Sequence, residues 1–316
     1  MAILKKKFYL GVEGGGTKST AVLADETTVL VERTGSMLNY HSAGEMKVKK
    51  NLADLLHPLL RKVGNDKLYA VFGLAGLDTK KDEVVYQRIV RSLLPSNAKF
   101  EVVNDSVIAI EAKCPGEANR ILVITGTGSN VCGESEGKRA TSTGWDFILG
   151  DEGSGYLAGN RVLRAAMHSW DGRTRKTSFE KLVLQKSKTK SMEDFIPKFY
   201  ETIQNKKQDS NSYIASFALL VDQALLQNDW AALQIRAQTA QDLATGVEAV
   251  ARRLNLQKEK FCVGFTGSLW KMPGLKDIFQ KEIAKMFSGA SFSESKEKEV
   301  MGAILLAKKL NGAVSR

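Results

Sequence analysis

A chain of 316 residues with 43% hydrophobic residues can bury a large core and exceeds the usual size of one domain, which favours two lobes with a ligand cleft between them. The net charge of +11 suggests nucleic-acid binding, but the lysines are dispersed, aromatic residues are not interleaved with them, and no nucleic-acid motif occurs. A solvated basic surface is the better interpretation. No apolar run approaches the roughly 20 residues of a membrane span, and no signal-peptide core follows the first residues, so we expect a soluble cytoplasmic protein without a membrane partner.

The N-terminal part alternates strand and helix patterns. Strands are predicted near 7–12, 18–24, 28–33, 68–74 and 99–103, and helices near 44–62, 81–94 and 105–113. This order indicates a mixed sheet with helices on its faces. Pro and Gly at 115–116 break the last helix, which makes 114–117 the expected crossing to a second lobe.

Residues 8–25, FYLGVEGGGTKSTAVLAD, predict a β-hairpin with a glycine-rich loop. Because glycine lacks Cβ, Gly14, Gly15 and Gly16 can aim their N–H groups at an anion, and Thr17 and Lys18 add polar donors. The loop misses P-loop spacing by one residue, and the residues after it read as a strand rather than a helix. A hairpin turn without a ligand remains the alternative.

The second half repeats this order. A strand at 120–124, a glycine turn over 125–129 and a strand at 130–135 indicate an internal duplication at the level of structure. Residues 153–254 are mainly helical, and apolar stripes over 213–227 and 230–254 are expected to face the core. A strand at 261–265 ends in Thr-Gly-Ser, and a last helix is predicted near 297–310.

Two acids, Glu13 and Asp105, are candidates for roles in phosphoryl transfer. Two glycine turns in equivalent positions can hold one polyphosphate such as ATP, and Glu13, inside the first turn, can hold Mg²⁺ directly or through water. The alternative for Glu13 is a solvent-facing loop acid. Asp105 follows a strand and begins a helix, so it is equally a candidate catalytic base and an ordinary N-cap.

Two further segments offer polar groups for a small ligand. The first is Asn39-Tyr40-His41, in a loop after the third strand. The second runs from Gly144-Trp145 to the sequence GDEGSG at 150–155, where an aromatic ring, two acids and glycines precede a helix. Loop polar residues often only satisfy turns, and acids in a first helical turn complement the helix dipole, so both assignments are open on local sequence alone.

The three cysteines and three histidines are scattered along the chain. Cys114, Cys132 and Cys262 form neither a disulfide framework nor a CxxC metal site, and each is expected to be a buried small residue. The histidines form no visible metal triad.

Taken together, the ordered motifs GVEGGGTKS, LNYH, GLAG, ND at 104–105, TGTGSN, GWDFILGDEGSG and GFTGS resemble the BadF/BadG/BcrA/BcrD-type ATPases of the actin, hexokinase and Hsp70 superfamily. Within that group the resemblance is closest to N-acetylglucosamine kinases and archaeal-type ATP-dependent hexokinases. It implies an α/β, two-lobed actin-like ATPase (ribonuclease H-like) fold, with ATP and sugar in the interlobe cleft. The implied lobes are 1–115 and 116–296, the second with a helical insertion, and the helix at about 297–316 packs back on the first.

The resemblance also implies roles for individual residues. It assigns Asp105 as the catalytic base and Glu13 as a ligand of Mg²⁺, bound directly or through a water molecule. The phosphate-binding residues are Gly14, Gly15, Gly16, Thr17, Lys18, Gly126, Thr127, Gly128 and Ser129. The adenosine-side residues are Gly267 and Ser268, and the sugar contacts are Asn39, Asp105, Thr127, Trp145 and Asp151.

The implied activity is an ATP- and Mg²⁺-dependent kinase that phosphorylates a hexose or hexosamine at O6, acting as a homodimer. The alternative is a regulatory ATPase that energises a partner protein, but those that carry an iron–sulfur cluster need a cysteine pair that this sequence lacks. Glu13 departs from the Asp commonest in the superfamily, and the His/Cys zinc motif of the repressor/kinase sugar kinases is absent. The sequence does not choose among N-acetylglucosamine, glucosamine, glucose and N-acetylmannosamine.

Overall fold

The computed structural model describes residues 6–205 and 210–312. The chain forms two compact units. The first contains the residues up to Gly116 together with those from Glu294 onwards, and the second is Glu117–Ser293.

The first unit is built on a five-stranded sheet. Its strands, in chain order, are β1 (Lys7–Gly14), β2 (Lys18–Ala24), β3 (Val29–Ser36), β4 (Lys67–Leu74) and β5 (Lys99–Asn104). In space the order is β3-β2-β1-β4-β5. β1 pairs antiparallel with β2 and parallel with β4, so the hairpin and the β/α part share one sheet.

Helices cover both faces of this sheet. They are α1 (Tyr40–Ala43), α2 (Glu45–Val63), α3 (Lys80–Arg91), α4 (Asp105–Lys113) and α13 (Glu299–Gly312). β4 is buried along nearly its whole length, as expected of a strand with both faces covered. Leu10, Phe72 and Tyr86 belong to the core on one face, and Tyr9 and Ile304 to the core on the other.

Glycines allow the last helix, α13, to pack closely against the rest of this unit. A Cβ at Gly11 of β1 would lie 2.8 Å from the carbonyl oxygen of Val300, and one at Gly302 would lie 1.9 Å from that of Ile108. Both contacts are with backbone atoms that cannot swing aside. Small residues therefore let α13 pack closely against both β1 and α4.

The second unit repeats the sheet. Its strands are β6 (Arg120–Thr125), β7 (Ser129–Ser135), β8 (Lys138–Ser142), β9 (Phe261–Thr266) and β10 (Ala290–Phe292). The spatial order is β10-β9-β6-β7-β8, and each pair has the same parallel or antiparallel sense as its counterpart in the first sheet. The duplication predicted from the two glycine turns is thus present in the topology.

A long helical segment separates β8 from β9. It comprises α5 (Asp146–Leu149), α6 (Gly155–Trp170), α7 (Phe179–Ser187), α8 (Met192–Asn205), α9 (Ser210–Ala215), α10 (Leu220–Leu225) and α11 (Trp230–Arg253), and α12 (Leu275–Met286) follows β9. The segment 213–227, whose apolar stripe was predicted to face the core, is not one continuous helix, because a 3₁₀ turn at Ser216–Leu219 separates α9 from α10. Its apolar stripe is nevertheless core, since Ile214, Phe217 and Val221 are buried.

Cys114, Cys132 and Cys262 are buried, as predicted. Within residues 6–205 and 210–312, no helix is both long and apolar enough to cross a membrane.

Candidate functional site

The first glycine turn, residues 15–18, joins β1 to β2. The N–H of Gly15 donates to the carbonyl oxygen of Lys18 at 3.0 Å and closes the turn. The carbonyl oxygens of Gly14 and Gly15 accept from the N–H groups of Ala75 and Leu38, at 2.8 and 3.2 Å. The carbonyl oxygens of Gly14, Gly15 and Lys18 are therefore engaged within the unit.

The N–H groups of Gly16 and Thr17 have no hydrogen-bond partner among the residues that the structure describes, and both residues are exposed. The expectation from the sequence, that backbone freedom explains the three glycines of this turn, is wrong. Gly14, Gly15 and Gly16 do not have positive φ angles, so backbone freedom does not explain them. A Cβ at Gly14 would lie 2.6 Å from Cδ2 of Leu74, whereas one at Gly16 would meet nothing within 4 Å, so Gly14 serves packing and Gly16 leaves the turn open.

Glu13 is the second-to-last residue of β1, not a turn residue, and it is half-buried rather than solvent-facing. Burial raises the pKa of its carboxyl, and the charges of Glu299 and Asp105 raise it further, while Lys18 and Lys113 lower it. Three carboxylates therefore share one region of the first unit. Such a group is destabilised by its own charge, and a hard cation would relieve that repulsion.

Asp105 is the first residue of α4, but it is not the N-cap. Asn104 holds that position, and its Oδ1 accepts from the backbone N–H of Ser106 at 2.9 Å and from the hydroxyl of Ser106 at 2.6 Å. Burial raises the pKa of the Asp105 carboxyl above its usual range, and Asp78 adds to the rise, while the nearby N–H groups of Ser106 and Asp105 lower it. The capping role that the sequence allowed for Asp105 therefore belongs to its neighbour, Asn104.

The Asn104 side chain also ties α4 to the loop after β4. Its Nδ2 donates to the carbonyl oxygen of Leu77 at 3.2 Å and to Oδ1 of Asp78 at 3.0 Å. The same loop meets Asn39, since a Cβ at Gly76 would lie 3.0 Å from the Asn39 Oδ1. Asn39 caps α1 by accepting from the His41 N–H at 3.0 Å.

Two residues that the sequence did not single out hold these loops. The hydroxyl of Tyr86 lies 2.9 Å from the carbonyl oxygens of both Leu38 and Ala75, so its single proton is shared between them, and burial raises the pKa of Tyr86 to about 12. Asp82 accepts from the Tyr40 hydroxyl and from Thr79, and these hydrogen bonds keep the pKa of Asp82 far below its usual range. The Thr79-x-x-Asp82 capping box was the sequence signal for this second residue.

The second glycine turn, residues 126–128, joins β6 to β7. The N–H of Gly126 donates to the carbonyl oxygen of Gly128 at 2.9 Å, and the carbonyl oxygens of Gly126 and Thr127 accept from the first N–H groups of α6, at 2.7 and 2.9 Å. The N–H groups of Thr127 and Gly128 have no hydrogen-bond partner in the described part of the chain. As in the first turn, the carbonyl oxygens are used internally and two adjacent N–H groups are left for a ligand.

Side chains brace this turn from both ends. The hydroxyl groups of Thr125 and Ser129 donate to the carbonyl oxygens of Gly153 and Glu152, each at 2.7 Å. Ser129 is buried, its hydroxyl is used in this way, and its backbone N–H hydrogen-bonds the Asp151 carboxylate, so neither group is free for the phosphate role expected from the resemblance.

Asp151 lies over the same turn. A Cβ at Gly128 would be 2.9 Å from its Oδ2, so a larger residue there would displace this carboxylate. Burial raises the pKa of Asp151, with Asp146 adding to the rise. Trp145 precedes the short helix α5 and leaves 60% of its surface exposed, as a ring available for stacking would.

The turn after β9 adjoins the second glycine turn. Gly267 has φ +109°, and a Cβ there would lie 2.0 Å from the carbonyl oxygen of Thr125. A Cβ at Gly126 would lie 3.9 Å from the Ser268 hydroxyl oxygen. The residues predicted for phosphate and for adenosine in this unit are therefore neighbours.

The predicted residues thus form one group in each unit. In the first unit, the charge of Asp105 raises the pKa of Glu13, which lies at the end of the strand before the turn 15–18. In the second unit, Asp151, Gly267 and Ser268 lie around the turn 126–128. No cluster of three or more His, Cys, Asp or Glu side chains with metal-binding geometry occurs among residues 6–205 and 210–312.

Comparison with known families gives a match over nearly the whole chain. The model of the BadF/BadG/BcrA/BcrD ATPase family matches residues 10–307. The chain is 32% identical over 308 residues to the N-acetylmuramic acid/N-acetylglucosamine kinase of Clostridium acetobutylicum, covering 96% of this chain and 98% of the relative. It is 30% identical over 318 residues to the N-acetyl-D-glucosamine kinase of Dictyostelium discoideum, with the same two coverages.

Solved structures agree on the fold. A candidate N-acetylglucosamine kinase from Chromobacterium violaceum superposes with a TM-score of 0.68 at 21% identity, over 96% of this chain and 100% of that chain. The ROK hexokinase of Thermus thermophilus superposes with a TM-score of 0.55 at 12% identity, over 98% and 100%. At these identities the likeness shows the fold alone, which is that of the actin-like ATPases and sugar kinases.

Proposed function

Because the chain belongs to the BadF/BadG/BcrA/BcrD ATPase family, we propose that it is an ATP-dependent kinase that phosphorylates a hexosamine or hexose at O6. The observation that carries the proposal is that Asn104, not Asp105, is the N-cap of α4, while burial raises the pKa of the Asp105 carboxyl beside it. The names of the two similar kinases favour N-acetylglucosamine, and the Clostridium relative adds N-acetylmuramic acid.

In this proposal Asp105 accepts the proton of the sugar hydroxyl as its oxygen attacks the γ-phosphorus of ATP. A carboxylate with a raised pKa is a stronger base, and it still ionises at neutral pH when the rise is moderate. The Tyr86 hydroxyl and the Asn104 amide hold the adjacent loops, so the base and Asn39 keep fixed positions. Correct positioning supplies most of the acceleration expected of such a site.

The unpartnered N–H groups of Gly16, Thr17, Thr127 and Gly128 are the proposed phosphate contacts, since oriented backbone N–H groups stabilise anions without adding mobile charge. Gly14, Gly15, Lys18, Gly126 and Ser129 complete the two turns, and Gly267 and Ser268 are assigned to the adenosine side. Asn39, Thr127, Trp145 and Asp151 are the proposed sugar contacts.

The carboxylates of the first unit are suitable ligands for Mg²⁺. Glu13 is an oxygen donor whose charge is poorly compensated beside Glu299 and Asp105, so it would hold the ion directly or through water. Bound Mg²⁺ would offset negative charge on the transferring phosphoryl group. Lys18, which already lowers the pKa of Glu13, supplies positive charge near the first turn.

A coupled ADP-release assay over a panel of sugars tests the activity. The panel is N-acetylglucosamine, N-acetylmuramic acid, glucosamine, glucose and N-acetylmannosamine, with 6-deoxy-N-acetylglucosamine as the control that lacks the acceptor hydroxyl. We expect release that depends on the sugar and is absent with the 6-deoxy analogue. ADP release independent of any sugar would instead identify a regulatory ATPase, and no release with any sugar would contradict the proposal.

We also propose that the kinase is a cytoplasmic homodimer. ATP, the proposed phosphoryl donor, is a cytoplasmic metabolite, and the dimer rests on the family resemblance. Light scattering coupled to size-exclusion chromatography measures the assembly directly, and a mass of one chain, 34.7 kDa, would overturn the dimer.

A further inference from the structure

A cavity lies in the second unit between α6 and α11. Its volume is about 540 Å³, within the range of small-molecule sites. None of its lining residues belongs to the glycine turns or to the proposed sugar contacts.

The lining is basic. Arg161, Arg164 and His168 of α6 line it, and within the described chain no carboxylate does. The spacing of three and four residues puts these three side chains on one face of the helix. A cavity with this lining attracts anions.

The acids around the cavity are already engaged. Oδ2 of Asp242 binds Arg161 at 2.7 Å, and Oδ1 accepts from Gln238 at 3.1 Å. Asp171, near His168, is bonded by Arg173. By contrast, Arg164 has no hydrogen bond or ion pair with any residue in the described ranges. The Arg161 guanidinium is thus fixed in place, and the Arg164 guanidinium is available to a ligand.

A buried hydroxyl also lines the cavity. The Oγ1 atom of Thr174 is inaccessible to solvent and has no hydrogen-bond partner among the described residues. A buried hydroxyl without a partner lowers stability unless something else satisfies it. Rotation of the Thr174 side chain would turn this hydroxyl towards a ligand oxygen in the cavity, where it would gain a hydrogen bond at no cost to an existing one.

The remaining wall combines the amides of Asn160, Gln234 and Gln238 with an apolar part around a fixed indole ring. Trp230 lines the cavity, and its Nε1 donates to the carbonyl oxygen of Lys176 at 3.1 Å. The Arg175 guanidinium lies 4.8 Å from the centre of the indole ring. Both contacts fix the ring beside Ile235, so the organic part of a ligand would meet a preformed surface.

We propose that this cavity binds a small organic phosphate monoester, with its phosphate on Arg164 and Arg161 and its organic part against Trp230. Two arginines suit a dianionic phosphate, because the planar guanidinium presents paired donors to its oxygens. Thr174 supplies a further donor. The proposal concerns a site separate from the kinase site and does not depend on which reaction the protein catalyses.

Titration calorimetry on the full chain without nucleotide tests it. The probes are glucose 6-phosphate, glycerol 3-phosphate, inorganic phosphate, sulfate and glucose. We expect the two monoesters to bind at least ten times more tightly than sulfate, and glucose not to bind at this site. No binding of either monoester, or sulfate binding as tightly, would overturn the proposal.

Variants locate the binding. Arg164→Gln, at an exposed residue without partners, should weaken monoester binding at least ten-fold, and Thr174→Val should weaken it several-fold while leaving the unliganded protein as stable as before or more so. Arg33→Gln, the same change at an exposed arginine of β3, is the matched control and should bind normally. Unchanged affinity in Arg164→Gln would mean that the monoester binds elsewhere. A change of oligomeric mass in Arg164→Gln without a change in affinity would make this face a subunit interface instead; either result refutes the site.

Discussion

The two glycine turns have similar backbones and different surroundings. Residues 15–18 and residues 126–128 both connect the first two strands of equivalent sheets, and both turn their carbonyl oxygens inward and leave two adjacent N–H groups unpartnered among the described residues. The first turn is held by the loops after β3 and β4, whereas the second is held by the start of α6. Equivalent scaffolds thus leave the same pair of backbone N–H groups unpartnered, although different elements hold each turn.

The acids distinguish the two units more sharply. In the first unit Glu13 and Asp105 lie in a group of carboxylates with raised pKa values, while in the second Asp151 lies directly over the turn. The first unit therefore holds the proposed base and metal donor, and the second holds most of the proposed sugar contacts and the proposed adenosine side. The following changes test that division.

Replacement of the base should have the largest effect. We expect Asp105→Asn to lower turnover by about two or more orders of magnitude, since it removes the proton acceptor, while sugar affinity remains measurable. The measurement is kcat and KM in the ADP-release assay, with Asp54→Asn, at an exposed residue of α2, as the matched control. Near-normal turnover in Asp105→Asn would mean that Asp105 is not the catalytic base.

A glycine of the second unit should give the next largest effect. Gly267→Ala forces a side chain into a positive φ and against the Thr125 carbonyl oxygen, so we expect a loss of at least about 2 kcal/mol in the free energy of unfolding. Gly16→Ala adds a methyl group where nothing lies within 4 Å and should leave stability nearly unchanged. Urea denaturation of both variants makes the comparison, and equal stability of the two would contradict it.

The metal role of Glu13 should show a smaller, selective effect. Glu13→Gln is expected to raise the Mg²⁺ concentration that gives half-maximal rate by about ten- to a hundred-fold, as changes in metal-supporting residues do. Glu101→Gln, at an exposed residue of β5, is the control. If the Mg²⁺ dependence of Glu13→Gln matches that of the control, this acid has no part in holding the ion.

The smallest expected effect is on stability against pH. Because the pKa of Asp105 is raised in the fold above its ordinary value of 3.8, the folded state binds its proton more tightly than the unfolded state, and stability falls as pH rises from 3.8 through the folded pKa. Asp105→Asn lacks this penalty and should be more stable than the parent at neutral pH. The difference in Tm should disappear below pH 3.8, and a difference that is independent of pH would refute the electrostatic cause.

Sequence patterns predicted most of the sheet framework because it depends on local order. The hairpin, the β/α alternation and the strand before Thr266 all appear close to the predicted positions. The short strands β8 and β10 were not predicted, since five and three residues give little periodicity. The break at 216–219 was missed because the apolar spacing continues through it.

The candidate site was less predictable where distant residues meet. Local sequence could not decide whether Asn104 or Asp105 caps α4, because both side chains suit the position; the hydrogen bonds to Ser106 decide it. Glu299 and Lys113 influence Glu13 only because α13 packs against β1 and α4. No local pattern relates residues so far apart along the chain.

The return of α13 to the first sheet also bears on how the protein is made. Tyr9, Tyr69 and Val71 face this helix in the core, yet the ribosome synthesises residues 299–312 only after the whole second unit. The second unit is continuous in sequence and can fold while translation proceeds, whereas one face of the first sheet is covered only in part, by α4, until the last helix emerges. During synthesis the N-terminal unit is therefore the later of the two to be completed, and it is the unit that a chaperone would have to protect.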